Sequence, residues 1–182
     1  MGNVISDDDQ ARFRSVVIPH LADSYALARW LTGDRADAED VVQEACLRAF
    51  RGLAGFAGNN ARAWVLTIVR HTAYSWLRKN RSAALVVVED LEAVEQAQAS
   101  RAAALDGSGI VTPEAALIDA ARLETAISEL PMPFRETLVL RDVQGLDYRE
   151  IAQVTGVPIG TVMSRLARAR RRLIAALGTD DP

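Results

Sequence analysis

The sequence predicts an all-α protein made of two small helical domains joined by a flexible linker. Apolar residues recur at helical spacing along most of the chain, and the alternating pattern of β-strands is nearly absent. Alanine, leucine, arginine and glutamate, all good helix formers, are abundant. Residues 82–111 lack a periodic apolar pattern, so we interpret them as the linker between a domain at 1–81 and a second domain at 112–178.

Net charge, cysteine content and hydropathy limit the kinds of function and the cellular location that the chain can have. The net charge of the 182 residues is −3, so any surface for nucleic acid has to be segregated from the acidic residues. Cys46 is the only cysteine, which excludes an internal disulfide and fits a reducing cytosol. No apolar stretch is long enough to cross a bilayer, and the acidic start at 6–9 is unlike a signal peptide. We therefore expect a cytoplasmic protein without membrane insertion.

The first three helices are predicted from their boundary residues. Ser6 can cap the first helix, Pro19 marks a bend or a new start, and the second helix ends at Gly33. Asp34 opens a third helix that reaches about Phe50. The apolar face of this helix is predicted to bury Ala38, Val42, Ala45 and Ala49. Another face is acidic and carries Asp37, Asp40, Gln43, Glu44 and Leu47.

A fourth helix follows the glycine-rich loop at 52–60. Asn59 or Asn60 can cap it, and it reaches about Lys79. Helical spacing points Leu66, Val69, Ala73 and either Trp76 or Leu77 inward. The opposite side is polar and basic, with Thr67, His71, Tyr74, Arg78 and Arg81, and with Arg70 and Lys79 nearby.

The second domain begins with the helix signal Thr112-Pro113-Glu114. Pro131 and Pro133 set a break, and the next helix runs through Leu138 and Leu140 to a stop at Gly145. The two segments after Gly145 have the pattern of a helix-turn-helix. Asp147 and Glu150 form a capping box, Gly156 ends that helix, and Pro158 lies near the start of the next one.

The last helix is predicted to bind nucleic acid. Val162, Leu166, Ala169 and Leu173 share its inward face, which leaves Ser164, Arg165, Arg168, Arg171 and Arg172 facing outward. No acidic residue lies between Gly160 and Leu177, so the positive charge is not neutralised locally. Arginine can bond a phosphate or a guanine edge through two parallel hydrogen bonds. We place the turns from Thr161 to Arg168 in a major groove and the later arginines on the DNA backbone. A solvated basic face is the alternative.

Three segments in order carry a resemblance to a known family: 33–44, 61–70 and 130–173. With them the chain resembles an extracytoplasmic-function (ECF) sigma factor of the bacterial sigma-seventy family. The resemblance implies a region 2 domain followed by a region 4 domain, binding to RNA polymerase core and to promoter DNA, and control by an anti-sigma factor. We expect no cofactor and no metal site.

The resemblance also assigns roles to residues. It implies that the acidic face of the third helix (Asp37, Asp40, Gln43, Glu44 and Leu47) binds core polymerase. Upstream "minus-thirty-five" DNA would be bound by Thr161, Ser164, Arg165, Arg168, Arg171 and Arg172. Downstream "minus-ten" DNA would be bound and opened by Phe56, Asn59, Asn60, His71 and Tyr74, with Arg62, Arg70, Arg78, Lys79 and Arg81 on phosphates. Opened bases have to be held, and stacking on an aromatic side chain contributes about 1 to 3 kcal/mol per base.

Two other classes of function are open to a chain of this kind. A self-sufficient helix-turn-helix regulator would account for the C-terminal third, and it should bind duplex DNA without polymerase. We do not expect an enzyme, because His20 and His71 are the only histidines and neither belongs to a metal-spaced cluster.

Overall fold

A computed structural model describes residues 6–58, 60–80 and 113–178, and it describes side chains in the last range from residue 120 on. Every regular element within these ranges is a helix, so the predicted all-α class is confirmed. Asn59, Arg81 and the predicted linker 82–111 lie outside the described residues. None of the helices in the described ranges combines the length and the apolar run that a bilayer crossing needs.

The N-terminal group contains four α-helices: α1 (Asp7–Val16), α2 (Leu21–Thr32), α3 (Arg35–Gly52) and α4 (Ala61–Asn80). Their starts follow the predicted chemistry. Ser6, Asp34 and Asn60 each accept a hydrogen bond from a backbone N–H of the first helical turn, at 2.9–3.1 Å. Gly33 ends α2 in the left-handed conformation with φ 75°. Short 3-10 turns at Ile18–His20 and Leu53–Gly55 replace the predicted bend and part of the loop.

The core of this group lies between α2, α3 and α4, with Leu27, Leu31, Leu66 and Val69 almost fully buried. The prediction that Val42 lies on the inward face of α3 is confirmed in part, because Val42 packs against the core from its edge. Val41 is fully buried and Val42 only half-buried. Both choices satisfy helical spacing, and the packing of α3 against two neighbouring helices decides which side of it is enclosed.

The C-terminal group contains α5 (Pro113–Glu129), α6 (Met132–Leu138), α7 (Tyr148–Thr155) and α8 (Ile159–Leu177). The capping box of α7 is present in both directions, and Gly156 ends α7 with φ 73°. A π-helical segment, Val139–Val143, continues α6 to Gly145, where φ is 71°. The sequence predicts an α-helix at these residues and contains no signal for the wider turns of a π-helix.

The two helical groups pack directly against each other. Helix α4 packs on α7, and α2 packs on α6. The buried apolar residues of both groups belong to one continuous cluster. This contact is absent from the sequence prediction, which treats the domains as separate units on a linker.

Gly156 and Gly160 give a matched test of the turn between α7 and α8. An added Cβ meets no atom within 4 Å at either position, so only the backbone differs. Gly156→Ala forces a side chain into the left-handed region and should lower the free energy of unfolding by about 1 kcal/mol. Gly160→Ala, inside α8, should leave it unchanged or raise it by up to about 1 kcal/mol. Urea unfolding followed by circular dichroism measures both, and equal effects would contradict this account of the turn.

Candidate polymerase and nucleic-acid surfaces

The acidic face of α3 is open to solvent. Its residues Asp37, Asp40, Gln43, Glu44 and Leu47 are exposed or half-buried. Glu44 accepts a hydrogen bond from Arg48 Nε at 2.7 Å, and this ion pair is itself exposed. Leu47 is 53% exposed and places an apolar side chain beside the carboxylates. Such a surface suits a basic protein partner with an apolar contact at its centre.

A buried carboxylate joins the two helical groups. Glu136 on α6 has no solvent exposure, and it accepts hydrogen bonds from Arg70 Nε and from the Tyr74 hydroxyl, the latter at 3.1 Å. The Arg70 guanidinium also lies 4.6 Å from the centre of the Tyr74 ring. Arg70 and Tyr74 are thus on the predicted side of α4, but that side is covered by the C-terminal group.

Burial controls the protonation of this cluster. Burial raises the pKa of Glu136, and the Arg70 guanidinium acts against that shift. Burial also raises the pKa of Tyr74, and the nearby carboxylate raises it further, so the phenol keeps the proton that it donates. Burial by itself would lower the pKa of Arg70, but the charge of Glu136, the hydrogen bond to it and the interactions with Tyr74 together outweigh burial and raise that pKa. Arg70 therefore stays charged within the contact.

Further polar contacts join the same two groups. Asn60 Nδ2 donates to Glu150 Oε1 at 2.9 Å. Arg62 Nε bonds Asp23 Oδ2 within its own group, and Arg62 Nη2 donates to the backbone oxygen of Gln144, both at 2.7 Å. The Gln144 side chain in turn donates to the backbone oxygen of Asp23 at 2.7 Å. Four residues of the predicted downstream-element set, Asn60, Arg62, Arg70 and Tyr74, therefore hold the C-terminal group.

The remaining described members of that set are placed differently. His71, Arg78 and Lys79 are exposed on α4. Burial and the nearby Arg70 lower the pKa of His71, so its ring is neutral at pH 7. Phe56 is half-buried and packs on Trp64 with ring centres 4.8 Å apart.

Arg165 does not face outward as predicted, and that prediction is wrong. It is only 8% exposed and is close enough to Glu136 and Tyr74 to influence the pKa of both. Its position explains the burial, because Val162, Arg165, Leu166 and Ala169 follow steps of three, one and three along α8 and form one stripe. The positive charge of Arg165 suggested an outward position, whereas its spacing places it on the buried stripe.

The other predicted residues of α8 are divided between solvent and their own domain. Ser164 and Arg171 are exposed, and Thr161 and Arg168 are half-buried. The exposed Arg172 has its guanidinium 5.2 Å from the centre of the Phe134 ring. Arg170, by contrast, makes two hydrogen bonds to the Asp142 carboxylate, at 2.7 and 3.2 Å.

Exposed apolar residues near the start of α8 are missing from the sequence prediction. Ile159 is 41% exposed and Met163 is 53% exposed, one helical turn apart at the start of the helix. They lie close to Thr161 and Ser164, the polar residues predicted to bind DNA. Their spacing was the available signal, because neither residue belongs to the predicted inward face of Val162, Leu166, Ala169 and Leu173.

No cluster of three or more His, Cys, Asp or Glu side chains suited to a metal ion occurs in the described part of the chain.

Comparison with protein families gives two matches in the order of the two helical groups. Residues 16–83 match Sigma-70 region 2, and residues 120–173 match Sigma-70, region 4. The ECF RNA polymerase sigma factor EcfG of Rhodopseudomonas palustris is 34% identical over 156 residues, which cover 85% of this chain and 79% of that protein. The RNA polymerase sigma-H factor of Pseudomonas aeruginosa is 34% identical over 176 residues, covering 93% and 88%.

A solved structure shares the fold across both groups. The sigma factor RpoE from Bartonella quintana, determined in complex with the anti-sigma factor NepR, superposes with a TM-score of 0.64. The two proteins are 27% identical, and the superposition covers 93% of this chain and 98% of that chain.

Proposed function

The chain belongs to the extracytoplasmic-function sigma factors of the sigma-70 family, and we propose that it directs promoter-specific transcription through two kinds of surface. The acidic face of α3 binds RNA polymerase core. The polar and basic sides of α4 and α8 bind promoter DNA. The observation that carries this proposal is the sorting of charge by helix, in the same order along the chain as the two matched sigma-70 regions.

The proposed polymerase contact combines charge with an apolar centre. Asp40 and Glu44 lie one turn apart on α3, and Leu47 adds exposed apolar area beside them. Carboxylates at the rim of such a contact steer a basic partner and fix its orientation, while the apolar centre loses water on binding. The known relatives are RNA polymerase sigma factors, which agrees with a polymerase partner.

The proposed upstream contact uses the outward face of α8. The helix-turn-helix presents the first turns of α8, with Thr161, Met163 and Ser164, to the major groove. Arg168 lies one turn further on, and Arg171 and Arg172 follow on the phosphate backbone. The proposed downstream contact uses α4 and the loop before it, in which Arg78 and Lys79 are exposed to phosphates.

We also propose that an anti-sigma factor controls the chain. The sigma factor RpoE, which shares its fold, was solved with such a partner.

Run-off transcription with purified core polymerase on genomic fragments tests the proposed function. Discrete transcripts that require this chain would support it and would identify the promoter. Tight, specific binding of the chain to duplex DNA without core, together with no transcripts, would favour the helix-turn-helix regulator instead.

Reversing the charge of the α3 face should weaken the complex with core. We expect Asp40→Lys with Glu44→Lys to reduce co-purification with core polymerase at least tenfold, because lysines would meet a basic partner surface. Glu124→Lys with Glu129→Lys changes the charge equally on exposed positions of α5 and serves as the control. Equal loss in both variants, or no loss in either, would remove α3 from the interface.

Arg170 and Arg171 are neighbours with different predicted contributions to DNA binding. Arg171→Ala should weaken holoenzyme binding to upstream duplex DNA and reduce the salt slope of log K by about 0.9, as expected for one lost phosphate contact. Arg170→Ala should leave the slope unchanged, since Arg170 is already bonded to Asp142. A titration from low to moderate salt measures both slopes, and the reverse order would contradict the proposed orientation of α8.

Met163 should read thymine methyl groups in the upstream element. Replacing its thymines by uracil removes only those methyls, and wild-type holoenzyme should then lose about 0.8 kcal/mol per contacted methyl, or about fourfold in affinity. Met163→Ala should bind more weakly and should no longer distinguish the two DNAs. The same sensitivity to uracil in both proteins would exclude Met163 from this contact.

A further inference from the structure

Helix α1 makes a long-range contact with the loop that precedes α4. Arg12 Nη2 donates a hydrogen bond to the backbone oxygen of Phe56, at 2.5 Å and across 44 residues of chain. We infer that Arg12 is a positioning residue for downstream promoter DNA, because it fixes the backbone that carries the Phe56 ring. The inference rests on the proposed function of this loop and gives α1 a part in it.

Both backbone hydrogen-bonding groups of Phe56 are engaged. The N–H donates to the backbone oxygen of Leu53 at 3.1 Å, and Leu53 is only 2% exposed, so this bond ties Phe56 to the hydrophobic core. The carbonyl accepts the hydrogen bond from Arg12. Phe56 is extended, with φ −76° and ψ 104°, and it directly follows the 3-10 turn Leu53–Gly55. A residue outside any helix is thus held on one side by its own loop and on the other by α1.

The Phe56 ring has two close neighbours. Its centre lies 4.8 Å from the centre of the Trp64 ring, with 36° between the ring planes. Gly58 is so near that an added Cβ would lie 3.4 Å from Phe56 Cε2. These contacts leave the ring half-buried, so part of it is open to solvent. An opened base can stack on that part, and such stacking depends on where the ring is placed.

Helix α1 can hold the loop because it is itself attached to the domain. Phe13, the neighbour of Arg12, packs edge-on against Phe50 near the end of α3, with ring centres 5.5 Å apart. The helix also packs on the 3-10 turn Leu53–Gly55. A loop that is fixed before DNA arrives loses less conformational freedom on binding. Arg12 therefore adds to the affinity for opened DNA without touching the DNA.

Binding of holoenzyme to opened DNA tests this role. The probe is a labelled single-stranded oligonucleotide with the downstream element of a promoter mapped by run-off transcription. Arg12→Ala should weaken binding about two- to tenfold, the range expected for one net hydrogen bond. Arg12→Lys keeps a cationic donor and should recover most of that loss. Neither variant should change holoenzyme binding to the upstream element as duplex, which excludes a general loss of folded or assembled protein.

Arg14→Ala is the matched control. Arg14 is also an exposed arginine of α1, and the two residues point about 200° apart around the helix. Its replacement removes the same charge from the same helix and should leave oligonucleotide affinity unchanged. Circular dichroism and thermal unfolding establish that each variant is folded.

A double variant shows whether Arg12 acts through Phe56. Phe56→Ala should itself weaken oligonucleotide binding, because it removes the ring. Arg12→Ala combined with Phe56→Ala should then bind no more weakly than Phe56→Ala alone, since no ring is left to position. An arginine that bound a phosphate directly would instead add its own loss to that of Phe56→Ala.

The outcomes separate this inference from the proposed function. Weaker binding by Phe56→Ala but not by Arg12→Ala would overturn the positioning role. Additive losses in the double variant, or equal losses in Arg12→Ala and Arg14→Ala, would overturn it as well. Unchanged binding by Phe56→Ala would remove the Phe56 ring from the proposed downstream contact, and the positioning role with it.

Discussion

The arrangement of this protein depends on one buried carboxylate. Glu136 has no contact with water, and an isolated charge in such a place would be strongly destabilising. Arg70 and Tyr74, both from α4, provide the opposite charge and the hydrogen bonds that make its burial possible. Removing one partner of such a pair typically costs about 3 to 5 kcal/mol, because the other charge stays behind. The contact therefore favours one placement of the two helical groups over others.

This constraint divides the functional surfaces into open and covered ones. The acidic face of α3 and the outward side of α8 stay accessible, while the middle of α4 is in contact with α6 and α7. The charged residues of the chain, whose net charge is slightly negative, are sorted between these surfaces. Acidic residues lie on the face of α3 where a protein partner is proposed to bind. Basic groups lie either in solvent or against acceptors of the same chain.

Most local features could be predicted because they depend on neighbours in the chain. The capping residues Ser6, Asp34 and Asp147, and the left-handed glycines Gly33 and Gly156, act within a few residues of themselves. The amphipathic face of α8 with Val162, Leu166 and Ala169 was equally predictable. Arg165 was misplaced although its spacing put it on this face, because an arginine can be buried wherever a distant carboxylate is near, and that condition is not local.

The sequence by itself determined the helices, their ends, the order of the two sigma-70 regions and the chemical character of each face. Those properties follow from dihedral preferences, periodicity and charge within short segments. Only the tertiary structure decided that Val41 is fully enclosed while Val42 packs at the edge of the core, that the α6 extension is π-helical, and that Glu136 meets Arg70 across the domains. These outcomes depend on contacts between residues far apart in the chain, whose proximity is set by how whole helices pack.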